Sequence, residues 1–200
     1  MHAAILLSGG IDSTAVAFWK RPQFAITIDY GQAPAGAEIQ AAEIVAGNLS
    51  ISHQIVRIGL RDLGSGVMAG GPQIEGAPSP EWWPFRNQLL ITIGAMAAIR
   101  RGCSKLLIGT VASDNVHADG TAEFVSFLDS LLQHQEGALR LMAPAIHISS
   151  AELVEISGIP DSLLAWCHSC HTGNGACGSC RGCLKSRLIR QSRAGFRDRP

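Results

Sequence analysis

Five of the six cysteines in this 200-residue chain lie between Cys167 and Cys183, with His168 and His171 among them. Thiolate and imidazole are preferred ligands of tetrahedral Zn²⁺. Cys177-x-x-Cys180-x-x-Cys183 places three thiols on one tight turn, and Gly178 and Gly182 let the backbone curl around an ion. The fourth ligand must come from Cys167, His168, Cys170 or His171, and the residues alone leave that choice open. They also leave open an iron–sulfur cluster, since the same run occurs in ferredoxins. Four thiolates would close the coordination sphere, giving a structural site with no position for a reacting water.

The second chemical signal stands at the other end of the chain: Leu7, Ser8, Gly9, Gly10, Ile11, Asp12, Ser13, Thr14. Adjacent glycines allow backbone amides to approach an anion, and a helix starting there adds unsatisfied N–H groups and partial positive charge. The segment lacks the Gly-Lys-Ser/Thr of a Walker loop and the third glycine of a dinucleotide fingerprint. A pyrophosphate site is the expectation. Asp12 suits such a cradle if it works through Mg²⁺ or orients a neighbour, since carboxylate oxygens are ligands for that ion.

The elements that must position these groups alternate. Short apolar runs at Ala3 to Leu7 and Phe24 to Ile28 read as parallel strands, Ile51 to Ile58 as a third, Lys105 to Gly109 as a fourth and Leu139 to Ala143 as a fifth. Helical spacing runs through Ala15 to Trp19, Glu38 to Leu49, Asn87 to Arg100, Glu123 to Leu132 and Ser150 to Ser157. That order predicts a Rossmann-like α/β domain with a five-stranded parallel sheet over residues 1–165, and a cysteine-rich C-terminal knuckle over 166–200. Residues 60–83, rich in Gly, Pro and Ser, read as a long loop and a candidate lid. Beyond the cysteines the chain is Arg-rich (Arg187, Arg190, Arg193, Arg197, Arg199) with no apolar period.

Composition narrows the function classes. The chain is 46% hydrophobic and 16% charged, which excludes a disordered chain, a coiled coil and a collagen-like repeat. Sixteen basic and sixteen acidic residues cancel, so no global field favours nucleic acid. No apolar run is long enough to span a bilayer, and Ala3 to Leu7 lacks the basic flank and cleavage site of a signal peptide. A cytoplasmic protein whose thiols serve a metal is expected.

Several other residues carry two readings. Arg86 and Asn87 at a helix start could hold substrate or phosphate, or simply end a helix. Asp114 and Asn115 follow the fourth strand at the carboxyl edge of the sheet, where ligands bind in open α/β folds, or they cap a loop. Trp82 and Trp83 could stack on a purine-like ring, although packing is the commoner use. His117 could move protons. Cys103 reads as a small buried residue.

The Ser8 to Thr14 loop resembles the SGGxDS loop of PP-loop ATP pyrophosphatases. Taken with the C-terminal cysteines, the chain resembles the QueC family, 7-cyano-7-deazaguanine synthase. The family's Tyr-Gly-Gln is matched by Tyr30-Gly31-Gln32, its Pro-Gly-Arg-Asn by Pro84-Phe85-Arg86-Asn87, and its Ser-Cys with C-G-x-C-x-x-C by Ser169-Cys170 and Cys177-Gly178-Ser179-Cys180-Arg181-Gly182-Cys183. Among the departures, Phe85 replaces the family's glycine and Ser149-Ser150 its Thr-Lys. The resemblance implies Cys170, Cys177, Cys180 and Cys183 as zinc ligands and ATP over Leu7 to Thr14. It implies Ser8, Asp12 and Ser13 in catalysis, and Arg86, Asn87 and Asp114 toward the substrate. The implied reaction converts 7-carboxy-7-deazaguanine, ammonia and ATP into 7-cyano-7-deazaguanine, by activation of a carboxylate and then of an amide. A homodimer is implied as well. The competing expectations are a divergent QueC-like paralogue acting on another carboxylate, a tRNA-thiolating PP-loop enzyme, and an idle nucleotide-binding module.

Overall fold

The computed structural model describes residues 2–197. Five parallel strands, β1 (His2–Leu6), β2 (Phe24–Asp29), β3 (Ser52–Arg57), β4 (Cys103–Leu107) and β5 (Arg140–Met142), form one sheet in the order β3-β2-β1-β4-β5. The apolar strand runs dictate this arrangement. Strands covered by helices on both faces need no polar alternation, and parallel pairing supplies that cover through its crossovers. Successive side chains point to opposite faces. Ile5, Leu7, Ala25 and Leu107 enter one core, while Ala4, Ile26, Ile28 and Leu106 enter the other.

The first core is closed by α1 (Ile11–Lys20) and α2 (Ala35–Leu49), and later in the chain by α6 (Ser150–Ser157), α7 (Asp161–Leu164) and Ile189 of α8 (Arg181–Arg197). The second is closed by the one-turn α3 (Gly66–Ala69), by α4 (Arg86–Arg100) and by α5 (Ala122–Gln133). Gly94 lets α4 lie close on β1, for a Cβ there would meet Leu6 Cδ2 at 2.6 Å. β1 pairs with both β2 and β4, so the chain reverses its direction of winding at β1. Open α/β sheets bind ligands beyond the carboxyl ends of strands at such a point.

Two segments differ from the sequence expectation. Residues 60–83 are not structureless: they hold a 3₁₀ turn at Arg61–Leu63 and α3, and they bury Met68, Ala69 and Trp83. The Trp83 ring meets Tyr30 edge-on at 4.9 Å, which is a packing role. The Arg-rich tail is a 17-residue helix, α8. It shows no apolar period because guanidinium groups dock it. Arg190 donates to Leu164 O and Arg193 to Ile159 O, both at 2.8 Å, and Arg193 also pairs with Asp161 at 2.9 Å. Arg187 donates to Gly178 O at 3.0 Å. Leu184 and Leu188 of α8 remain exposed. Arg199 lies outside the described residues.

Candidate active site and metal centre

The turn from β1 into α1 is shaped by one glycine. Gly9 has φ +74°, and a Cβ there would stand 2.5 Å from Glu38 O and 2.8 Å from Ala41 Cβ of α2. Gly10 then caps α1 with no side-chain hydrogen bond. The first-turn amides of α1 are left to face a cleft of about 850 Å³. Ser8 and Ser13 brace the loop from within. Their hydroxyls lie 3.0 Å apart, the Gly10 N–H donates to Ser8 Oγ at 3.3 Å, and Ser13 Oγ donates to Gly10 O at 3.2 Å. From the β4 side, Gly109 approaches so closely that a Cβ would lie 2.6 Å from Ser13 N and Cα.

Asp12 points into this cleft. Its Oδ2 accepts from Lys185 Nζ at 2.7 Å, whereas its buried Oδ1 has no partner among the described residues. Ser150, at the start of α6, adjoins it, and the buried Ser150 Oγ is likewise unpartnered. Burial raises the Asp12 pKa against the pull of Lys185. Asp114 faces the same ammonium, Oδ1 standing 3.7 Å from Nζ, and its Oδ2 accepts the Val111 N–H at 3.1 Å. Two carboxylates with a free buried oxygen form a donor set that suits a hard divalent cation.

Arg86 lines the cleft beside Asn87. Asn87 also serves as a clamp, its backbone N–H donating to Asp119 Oδ2 at 3.1 Å and its amide to Asp119 O at 2.9 Å. Phe85 has φ +54° and is 77% exposed, so it holds a conformation that favours glycine with little packing in return. His117 lines the wall with a buried Nδ1 that has no partner among the described residues, and its Nε2 lies 3.5 Å from Ser79 Oγ.

The four predicted ligand cysteines converge. The Sγ atoms of Cys170, Cys177, Cys180 and Cys183 all lie within 4.8 Å of one another, with Cys177–Cys183 at 3.9 Å and Cys180–Cys170 at 4.0 Å. A tetrahedron with metal–sulfur bonds of about 2.3 Å has edges of about 3.8 Å, so the spacing fits one ion. A cubane cluster, binding each thiolate to a different iron, would need wider corners. Backbone N–H groups of His171, Cys177, Cys180 and Cys183 already point at these sulfurs at 3.3–3.5 Å. The amides of Ser179 and Cys180 push the Cys177 thiol down to about 5, favouring the thiolate. The alternatives left open by spacing turn elsewhere. Cys167 Sγ lies against Leu163 O, burial raising its pKa, and His168 Nε2 donates to Gly173 O at 3.0 Å. Cys103 is buried in the second core.

The knuckle and the loop form one site. The His168 N–H donates to Gly9 O at 3.0 Å. Arg181, between Cys180 and Cys183, donates to Ser113 O at 2.8 Å and pairs with Glu81 of the 60–83 segment at 3.7 Å.

Two groups escaped the sequence reading. Lys185 carries no signal in the sequence beyond its place two residues after Cys183. Glu38 stands in the sequence only as the start of the Glu38 to Leu49 helical spacing, yet it closes the β2 side of the cleft, where Gln32 Nε2 donates to its Oε2 at 2.8 Å. Burial raises the Glu38 pKa to about 7, outweighing Gln32 and Arg86. The usable signal is its place in the first turn of α2, six residues after Gln32.

Comparison with known proteins gives concordant matches. The family described as "Queuosine biosynthesis protein QueC" matches residues 2–192. The 7-cyano-7-deazaguanine synthase of Desulforudis audaxviator is 30% identical over 98% of this chain and 100% of its own length. The protein of that name from Thiobacillus denitrificans is 31% identical over 90% of this chain and 89% of its own. Among solved structures, the U34-tRNA thiolase NcsA from Methanococcus maripaludis with its [4Fe-4S] cluster matches all of this chain and 67% of its own, with a TM-score of 0.54. At 19% identity that likeness establishes a common fold and nothing about substrate.

Proposed function

The chain belongs to the QueC family of queuosine biosynthesis proteins, and from that membership we propose that it is an ATP-dependent 7-cyano-7-deazaguanine synthase. The substrates are 7-carboxy-7-deazaguanine, ammonia and ATP. A carboxylate is a poor electrophile, so its oxygen attacks the α-phosphorus of ATP, releasing pyrophosphate and leaving an acyl adenylate. Ammonia displaces AMP and loses a proton, giving the amide. A second ATP adenylates the amide oxygen, again releasing pyrophosphate. Loss of both N–H protons and of AMP then closes the C≡N bond. No step needs a protein nucleophile, so catalysis is positioning and stabilisation of phosphate charge.

The observation that carries this reading is the open α1 N-terminus at Gly10, braced by Ser8 and Ser13 and set between Asp12, Asp114 and Lys185. ATP is assigned to Leu7 to Thr14, with pyrophosphate leaving over the α1 amides. Arg86, Asn87 and Asp114 are the residues proposed to meet the deazapurine acid. Mg²⁺, held by Asp12 and Asp114, would neutralise phosphate charge. Zn²⁺ is proposed for the four thiols, where a closed site supplies structure rather than a reacting water. Residues 1–165 then act as the ATP-binding unit, 166–200 as the metal-binding segment, and 60–83 as the cover of the cleft. No described helix is long and apolar enough to cross a membrane, and a cytoplasmic homodimer is the proposed assembly.

The test is incubation of the pure protein with 7-carboxy-7-deazaguanine, ATP, Mg²⁺ and an ammonium salt, with the base followed by mass spectrometry. Loss of one oxygen pair and gain of nitrogen as the nitrile, abolished in Asp12→Ala, is the expected result. An unchanged acid in the presence of bound ATP would refute the substrate and leave the ATP site standing.

A further inference from the structure

Lys185 reaches Asp12 across 173 residues of sequence. Of the cleft-lining residues, Arg86, Arg181 and Lys185 carry permanent positive charge. Arg181 is engaged by Glu81 and the Ser113 carbonyl. Arg86 sits on the Glu38 side, where its charge acts on Tyr30 and Glu38. Lys185 therefore supplies the cation beside the open amides of α1, and at present it lies between two carboxylates, 2.7 Å from Asp12 and 3.7 Å from Asp114. Mg²⁺ taken up by Asp12 and Asp114 with the nucleotide would displace the ammonium from both carboxylates and free it to turn toward a polyanion seated on those amides. The four-carbon stem and rotating ammonium of lysine make that exchange feasible without backbone movement.

What sets the position of Lys185 is the knuckle. Cys183 precedes it by two residues, and Gly182 packs so tightly under Ser169 O that a Cβ would stand 1.8 Å away. On the other side of Lys185, the buried side chain of α8 that enters the core is Ile189, one turn on, while Leu184 is 45% exposed. The first turn of α8 is thus held by the four-thiol site more than by apolar packing.

We propose that Lys185 is a triphosphate-binding residue delivered by the cysteine knuckle, so that metal at Cys170, Cys177, Cys180 and Cys183 and nucleotide at the glycine loop bind with positive coupling. This rests on the reading of the glycine loop as the ATP site. Coupling is reciprocal: if the metal presets Lys185 for the triphosphate, the triphosphate must tighten the metal by the same factor.

Two measurements on the full, metal-loaded chain test this. Calorimetric titration with Mg·ATP should show binding weakened about tenfold or more in Lys185→Gln and largely recovered in Lys185→Arg, as expected for loss of one charge-assisted contact. In a chelator challenge, saturating Mg·ATP should slow metal release about fivefold or more in the wild type and leave Lys185→Gln unchanged. Equal ATP affinity in wild type and Lys185→Gln overturns the proposal, as does a wild-type release rate indifferent to ATP. If the wild type binds no ATP at all, the reading of the loop falls first. Should Lys185→Gln misfold, wild-type metal release and Lys185→Arg titration still decide.

Discussion

Glu38→Gln isolates the cost of a buried carboxylate at the edge of the cleft. The ordinary pKa of 4.5 is raised to about 7 in the folded protein, burial being the largest cause. A raised acid favours the protonated form on folding. Its contribution to stability is therefore fully present below about pH 4.5 and is lost as pH rises through about 7. At about 1.36 kcal/mol per unit, the displacement corresponds to about 3 kcal/mol at alkaline pH. Glutamine keeps an oxygen to accept the Gln32 N–H and stays neutral throughout. Urea unfolding of both proteins should place the variant about 3 kcal/mol above wild type at pH 8, and within about 1 kcal/mol of it at pH 5. The pH dependence of the thiol site is common to both proteins and cancels in the difference. A gap of the same size at both pH values would refute the argument, because it would place the effect in packing or hydrogen bonding rather than in ionisation.

Three further outcomes are expected. Gly109→Ala forces a Cβ to within 2.6 Å of Ser13 backbone atoms, so ATP affinity should fall about tenfold or more, read by titration against a circular dichroism control. Gly182→Ala drives a Cβ into Ser169 O, whereas Gly175 has nothing within 4 Å. Bound metal measured by elemental analysis should drop well below one ion per chain in the first variant and stay at one in Gly175→Ala. Stripping the metal with a chelator should lower the unfolding free energy by several kcal/mol, roughly a part of the 10–16 kcal/mol of structural zinc peptides. It should also increase protease cleavage near the start of α8, and cleavage unchanged after stripping would contradict the role given to the thiols.

Some of this was legible without coordinates because it is local. The strand-to-helix turn at Ser8 to Thr14 is written in consecutive residues, where only glycine permits φ +74° at position 9 under α2. β1 and β2 announce themselves as short apolar runs, since a doubly covered strand needs no alternation. Three of the four clustered thiols share one turn, a spacing that survives whatever the rest of the chain does.

Tertiary structure decided whatever depends on distant neighbours. Cys170 rather than Cys167, His168 or His171 completes the thiol set because of how the 167–177 segment folds back, and spacing alone held all four equal. α8 was unreadable because carbonyls of Leu164 and Ile159 receive its arginines, so its docking is polar and leaves no hydrophobic period. The raised pKa of Glu38 follows from its burial, against the opposing pull of Gln32 and Arg86 from other elements. The cation beside Asp12 comes from Lys185 at the opposite end of the chain, where composition marked only one more basic residue. Backbone conformation and ligand type are properties of a residue and its immediate neighbours; burial, ionisation and charge pairing belong to the space around it, which exists only after the chain has folded.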